Sequence, residues 1–483
     1  MKRFIVCAVA FLLLLGTVLC CASCSNPQEG NESTGPVNGT TDQTTSGLPF
    51  GKENYDKEFK ILYYTAAMYR DFYFDDVTEA GDLIEQALFD RRMYVEDYLG
   101  VEVIGVAESN KEDSIATVLS RDNLAGMDNY QLALTHGYIG LGTMLSQGSV
   151  IDLYDLEYVS FNEDYYNINA INNLSIGGKV YFGSSDFNIA DVCAVFFNKT
   201  MYDAQDFDET PYDLVRDGKW TLENFKILCS NVQENLGDPV WDKNDKYGLG
   251  VRADWEFIPL VDACNVEWLI GGSNKSLNMG PNNERYQAVY DWCEEVADAG
   301  WSYMYNYGDD DNKVTIADGR FLFTMEAVKN AYKYLASEVK FGVLPYPKFD
   351  EAQTEYYSLD ASGFFCVPTT AQNQEMVGKV IECLSYYSAD TIHLAYYERL
   401  LGTRVAEAPD DAEMLANYVF GNITSNAAFN YSAKANQPLG ILVYTIPKML
   451  RAKLNGTTID TIATNWASYK VAAQGVIDST INQ

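Results

Sequence analysis

The chain has 483 residues, with 34 Lys and Arg against 68 Asp and Glu, a net charge of −34. That balance excludes a polyanion binder, because nucleic-acid binding draws on counterion release by clustered Lys and Arg. The length exceeds what one core organises and implies two lobes or domains, and 47% hydrophobic residues supply the material to bury them. Only two histidines argue against His-based metal or triad chemistry, while the many tyrosines suit amphipathic contact surfaces as well as packing.

In chain order, Lys2 and Arg3 precede an apolar run over 4–19, followed by small residues and cysteines. This is the pattern of a secretory signal peptide over 1–23. A permanent membrane helix is the rival reading for an apolar run of this length, but no basic stop-transfer cluster follows. The junction Leu19-Cys20-Cys21-Ala22-Ser23-Cys24 resembles a bacterial lipobox, with Cys21 where that pattern prefers Leu. The resemblance implies that Cys24 carries lipid, palmitate included; a plain secretory signal is the alternative. Loss of Lys2 and Arg3 takes the net charge from −34 to −36. Such a body is repelled by an anionic membrane, so a lipid on Cys24 acts as a tether. Residues 24–54, rich in Ser, Thr, Asn, Gly and Pro, are expected to form a flexible linker.

The body is expected to start near Tyr55. Residues 59–64 predict a strand, 79–99 an amphipathic helix stopped by Gly100, 101–106 a strand, 113–125 a helix and 130–135 a strand. This alternation predicts an α/β lobe with a mostly parallel sheet, whose ligands sit at the carboxyl ends of strands. Further on, 177–183 predicts a hairpin turn and strand, 191–198 an apolar strand, and 211–236 a helical segment with Thr221 as an N-cap. A helix over 282–299, strands at 319–325, 341–347 and 364–367, and helices at 374–388 and 391–401 complete the pass. Six body cysteines, without a C-x-x-C pair, read as free thiols; Cys264 with Cys293 is the pair to check for a disulfide. Asp242-Lys243-Asn244-Asp245 lacks the Gly and the bidentate Glu of a calcium loop and reads as a surface turn, so no metal or cofactor is expected.

Several segments, in order, resemble the bacterial extracellular solute-binding proteins that serve as lipoprotein receptors of carbohydrate ABC importers, similar in layout to maltose-binding protein. They are Gly178-Lys179-Val180-Tyr181, Ala194-Val195-Phe196-Phe197-Asn198-Lys199, Asp217-Gly218-Lys219-Trp220-Thr221, Ile316-Ala317-Asp318-Gly319-Arg320-Phe321, Gly342-Val343-Leu344-Pro345-Tyr346-Pro347 and Ser362-Gly363-Phe364. The resemblance implies a two-lobed periplasmic-binding-protein-like α/β fold. Lobe one would take 55–188 and 362–405, and lobe two 189–361 and 406–483. The chain would cross near 186–191, 359–362 and 402–406. It further implies a monomer outside the cell membrane that captures a carbohydrate, in particular an oligosaccharide, and delivers it to importer membrane subunits.

Sugars offer hydroxyls to polar side chains and ring faces to aromatics. Carried over from the resemblance, the contact positions are His136 and Tyr138, Asp186 and Phe187, Trp255, Met325 and Glu326, Asp360 and Ser362, Arg404, and Tyr444. Each has a packing or surface alternative. Two other functions compete with this reading. A glycoside hydrolase needs a carboxylate pair at fixed separation, and 68 acidic residues make some such pair unavoidable; no G-x-S-x-G, H-E-x-x-H or P-loop accompanies one. A helical-repeat glycan-binding lipoprotein needs repeated helix pairs, which the strand–helix alternation over 59–135 opposes.

Overall fold

The computed structural model describes residues 47–64, 83–108, 114–267 apart from Tyr138, Ile189 and Asp238, 283–334, 337–389, 409–431 and 438–457, with short pieces at 269–270, 276–277, 391–392, 395–396, 470–475 and 477–478. The chain divides into an N-terminal unit over 1–47 and a body from Leu48 onward. The expected signal peptide and Cys24 lie outside the described residues. The body begins earlier than the expected linker boundary. Leu48 is buried, the Glu53 amide donates to the Tyr98 carbonyl at 2.9 Å, and Lys379 pairs with Glu53 at 2.5 Å.

The first sheet is built from β1 (Lys57–Tyr64), β2 (Val101–Glu108), β3 (Leu132–Leu134) and, much later in the chain, β13 (Phe365–Cys366). Its order is β13-β3-β1-β2. β1 runs parallel to both β2 and β3, with Ile61 opposite Gly105 and Leu132, while β13 is antiparallel to β3. Between β1 and β2 the helix Leu83–Leu99 buries Ile84, Ala87, Leu88, Arg91, Val95 and Leu99, the stripe that its three- and four-residue spacing implies. Gly100 ends it at φ +60°, and a Cβ there would fall 2.1 Å from Asn54 Oδ1, so only glycine fits. The helix Gln374–Ala389 packs on this helix and so returns the late chain to the first sheet.

The second sheet takes β4 (Cys193–Asn198), β5 (Gln233–Glu234), β6 (Lys246–Arg252), β9 (Ser302–Tyr305), β10 (Phe321–Ala327) and β11 (Phe341–Leu344). Its order is β11-β4-β10-β6-β5, with β9 also paired to β6. β6, β9 and β10 are mutually parallel through β6, and β4 runs antiparallel to β10. Two small ladders complete the set: β7 (Leu269–Ile270) with β8 (Ser276–Leu277), and β12 (Ser358–Leu359) parallel to β14 (Ile423–Thr424).

Two expectations shift. The helical segment over 211–236 is two helices, Pro211–Arg216 and Leu222–Ser230, because Gly218 turns the chain at φ +70° before Thr221 caps the second through the Asn224 amide. The expected strand near 180–183 makes only an isolated bridge, Gly183 to Phe365. The six body cysteines are buried free thiols, Cys264 and Cys293 included. One continuous apolar cluster runs from Phe59 and Leu132 under the first sheet, through Phe187, Leu359 and Phe364, to Phe197, Leu249 and Phe323 in the second. The cores are therefore joined through the connecting segments.

Candidate functional site

Parallel strands leave their carboxyl ends along one edge, where the following loops converge. In the first sheet β3 leads into Thr135, His136 and Gly137. Gly137 is pressed against the segment that leaves β12, since a Cβ there would fall 2.4 Å from the Ala361 carbonyl oxygen. The Gly137 carbonyl accepts from Asn430 Nδ2 at 2.6 Å. His136 is buried edge-on to the Tyr64 ring, 5.4 Å between centroids. Burial, reinforced by the charge of Lys329, holds its imidazole neutral, with the pKa lowered to about 4. Lys329 follows β10 of the second sheet, so the carboxyl ends of the two sheets lie within electrostatic reach of each other.

The connecting segments meet at the same place. Asp191 precedes β4 and pairs with Lys329. Asp360 follows β12 and is fully buried; its Oδ1 accepts the amides of Ser362 at 2.8 Å and Asp191 at 3.2 Å. The Ala361 amide returns a bond to the Asp191 carbonyl at 3.0 Å. Burial pushes the Asp360 carboxyl up to about 7, against the pull of the Ser362 bonds.

At the carboxyl end of β6, Trp255 is half-buried between two charged neighbours that are each pinned. Arg252 grips Glu256 at 2.5 and 3.0 Å, and Arg451 pairs with Asp254. Tyr346 Oη donates to the Glu256 carbonyl at 2.9 Å. Burial raises the Glu256 carboxyl to about 7 despite Arg252. These pairs fix the backbone on both sides of the indole. At the end of β10, Glu326 is half-buried and accepts Tyr334 Oη at 2.5 Å and Thr324 Oγ1 at 3.3 Å, with burial raising its pKa.

The expected contact residues thus separate. His136, Asp360 and Ser362 come together at the junction of the connecting segments, all buried. Trp255, Glu326 and Tyr444 are half-buried, the first two at the carboxyl ends of β6 and β10 and the third at the start of the helix Thr445–Leu454. Asp186 is half-buried, and its amide donates to the Tyr165 carbonyl at 2.9 Å. Phe187 packs inside, 5.3 Å from the Phe365 ring and 5.9 Å from the Arg91 guanidinium, and Met325 is buried in the sheet core. Tyr138 and Arg404 lie outside the described residues. Sequence reasoning missed Asp191, Lys329, Arg252 and Glu256. Only a polar residue opening an apolar strand marked Asp191, and no spacing links it to Lys329. The 242–245 segment is a surface turn in which Asp245 accepts the Leu236 and Asp242 amides at 2.8 and 2.9 Å. Among the described residues no cluster of three or more His, Cys, Asp or Glu could hold a metal.

No protein-family profile and no curated protein sequence matches the chain. Solved structures do. The cyclic alpha-maltosyl-1,6-maltose binding protein from Arthrobacter globiformis is 12% identical with a TM-score of 0.56, covering 88% of this chain and 98% of its own. UgpB from Mycobacterium tuberculosis, in complex with glycerophosphocholine, is 14% identical with a TM-score of 0.54, covering 83% and 99%. The maltose-binding periplasmic protein MalE from Listeria monocytogenes, in complex with maltose, is 14% identical with a TM-score of 0.51, covering 89% and 98%. At this identity the likeness establishes the fold: this is the two-lobed α/β fold of solute-binding proteins.

Proposed function

We propose that the chain is the extracellular solute-binding receptor of a carbohydrate ABC importer, holding an oligosaccharide between two lobes without turning it over. The observation that carries this reading is the half-buried Trp255 at a strand's carboxyl end, between two ion-paired neighbours, Asp254 and Glu256, in a fold that binds solutes along that edge. A half-buried indole on a backbone fixed at both neighbours offers an apolar face to a sugar ring, and carboxylates such as Glu326 and Asp186 offer acceptors to hydroxyls. Similar proteins bind both sugars and glycerophosphocholine, so the fold leaves the solute open; the half-buried indole of Trp255 is what favours a sugar. In this reading lobe one comprises 55–188 and 362–405 and lobe two 189–361 and 406–483. The lobes close as a hinge, and the closed form engages the importer's membrane subunits.

Thermal shift against a panel of glycans tests the reading, because a ligand that binds only the folded state raises the melting temperature. A rise with one glycan family and no release of reducing sugar is expected. Turnover abolished by a single carboxylate substitution, or a response to glycerophosphodiesters and to no sugar, overturns it.

The same reading ties the protein to the outer face of the cell membrane through lipid on Cys24. Among the described residues no helix is long and apolar enough to cross a membrane. Cys24→Ala is expected to shift the protein from the membrane fraction to the soluble fraction or to block its processing. Mass spectrometry finding an unlipidated mature N-terminus at another residue removes the anchor.

A further inference from the structure

β9 runs parallel to β6, with Tyr305 opposite Arg252, so the chain leaves both strands at the carboxyl edge that carries Trp255. Two residues past β9 stands Tyr307, 70% exposed. Its backbone is fixed. The Asp309 amide donates to the Asn306 carbonyl at 3.2 Å and Gly308 has φ +78°, so Tyr307 takes the first corner of a tight turn whose second corner needs glycine. Asn306 Nδ2 donates to Asn455 Oδ1 at 3.2 Å, just beyond the helix Thr445–Leu454, and the Ala253 amide donates to the Tyr305 carbonyl at 2.8 Å. The Arg252 guanidinium lies over the Tyr307 ring, 5.3 Å from its centroid. The same guanidinium grips Glu256, the residue after Trp255. One arginine therefore touches both the tyrosine and the neighbour of the indole.

Single exposed aromatics are ordinary on a protein surface. Trp241 is one of them. It is 46% exposed, meets the Tyr247 ring edge-on at 5.7 Å, and precedes β6, at the end of the sheet away from Trp255. Tyr307 differs in place and in support. It stands at the edge where this fold takes its solutes, on a turn held from two sides, with a guanidinium under one ring face and water over the rest.

We propose that Tyr307 is the wall of a second sugar subsite, one strand outward from Trp255, and that it sets the chain length the receptor prefers; this rests on the receptor reading. Adjacent strands lie about 4.8 Å apart, and β9 is the neighbour of β6 at this end of the sheet. The backbones that carry the indole and the phenol therefore follow each other along the rim. A first sugar ring stacks on Trp255, and a ring linked to it meets the open face of Tyr307 next, apolar C–H face against aromatic face. The turn is already made and bonded, so the second contact orders little backbone. Arg252 is spent on Glu256 and on the underside of the phenol. Its part is to position the ring, not to bind sugar.

The test uses the full chain with glucose, xylose and mannose oligomers, each from one ring to five, in calorimetric titration. In the sugar family that binds, affinity is expected to step up by about tenfold at the length that first reaches Tyr307 and to rise little beyond it. Tyr307→Ala is expected to erase that step and to leave shorter oligomers at the wild-type affinity. Its melting temperature should match wild type, because the side chain is exposed. Tyr307→Phe retains the ring and should keep the step. Trp255→Ala should weaken every length, and Trp241→Ala none. Equal length profiles in wild type and Tyr307→Ala overturn this subsite alone. So does a loss in Tyr307→Ala that is the same at every length, which would make the tyrosine part of the subsite at Trp255. A wild type that binds no oligomer of any length overturns the receptor reading, and the subsite with it.

Discussion

Alanine at Trp255 is expected to weaken ligand binding by about ten- to a hundredfold, or ~1.4–2.8 kcal/mol, while leaving the melting temperature nearly unchanged. Alanine at Trp220 is expected to do the reverse. Trp220 is fully buried, its Nε1 donates to the Pro345 carbonyl at 2.9 Å, and its ring lies 5.3 Å from Phe225 and 5.8 Å from Phe323. Its removal leaves a cavity and an unpaired carbonyl, a cost of about 3–5 kcal/mol. Trp255 is only half-buried, and the ion pairs that flank it stay intact when the indole is cut back. Calorimetric titration with the best ligand of the glycan panel, beside thermal melts of the same preparations, separates the two. Unchanged affinity in Trp255→Ala removes that residue from the site, and a strongly lowered melting temperature reassigns it to the core.

Alanine at Glu382 is expected to cost about 3–5 kcal/mol of stability in denaturant titration. Glu382 is fully buried on the helix Gln374–Ala389 and accepts Tyr165 Oη at 2.5 Å, Tyr166 Oη at 2.7 Å and the Ser160 amide at 3.1 Å. These donors belong to chain laid down more than two hundred residues earlier, so the carboxylate joins the late helix to the first sheet's surroundings. Alanine strands two buried hydroxyls and the half-buried Ser160 amide at once. Glutamine keeps an acceptor but exchanges one carboxylate oxygen for an amide that must face a hydroxyl, and about half the loss is expected. An alanine variant as stable as the glutamine variant would show that packing, and not this network, attaches the helix.

Much of the architecture was legible along the chain. The 3.6-residue stripe of Ile84, Leu88, Arg91 and Val95, the stop at Gly100 and the cap at Thr221 are local effects of backbone and side chain, and they lie where the pattern put them. The candidate site was legible in part. Glu326 ends a strand whose apolar run is plain, so its place at a carboxyl edge followed from counting, whereas the strand ahead of Trp255, Lys246–Arg252, carries two glycines and two charged ends and was not among the expected elements. Phe187 and Met325 stand in similar positions and face inward, which alternation about an irregular segment does not settle. The split of the 211–236 segment went unread because Pro211 and Thr221 both signal a helix start, and the positive φ of Gly218 between them has no signature beyond glycine itself.

The acidic charge, the address-like N-terminus, the α/β class and the free thiols came from composition and short-range pattern, because each depends on residues near one another or on sums over the chain. The return of the chain around β13 to the first sheet was implied by the family resemblance and by no local pattern, while the joining of two cores through the connecting segments and the meeting of Asp191 with Asp360 and Lys329 were decided only by tertiary structure. Asp191 and Asp360 stand 169 residues apart. A pairing at that separation is selected by the burial of whole sheets and helices around it, which no local pattern along the chain encodes.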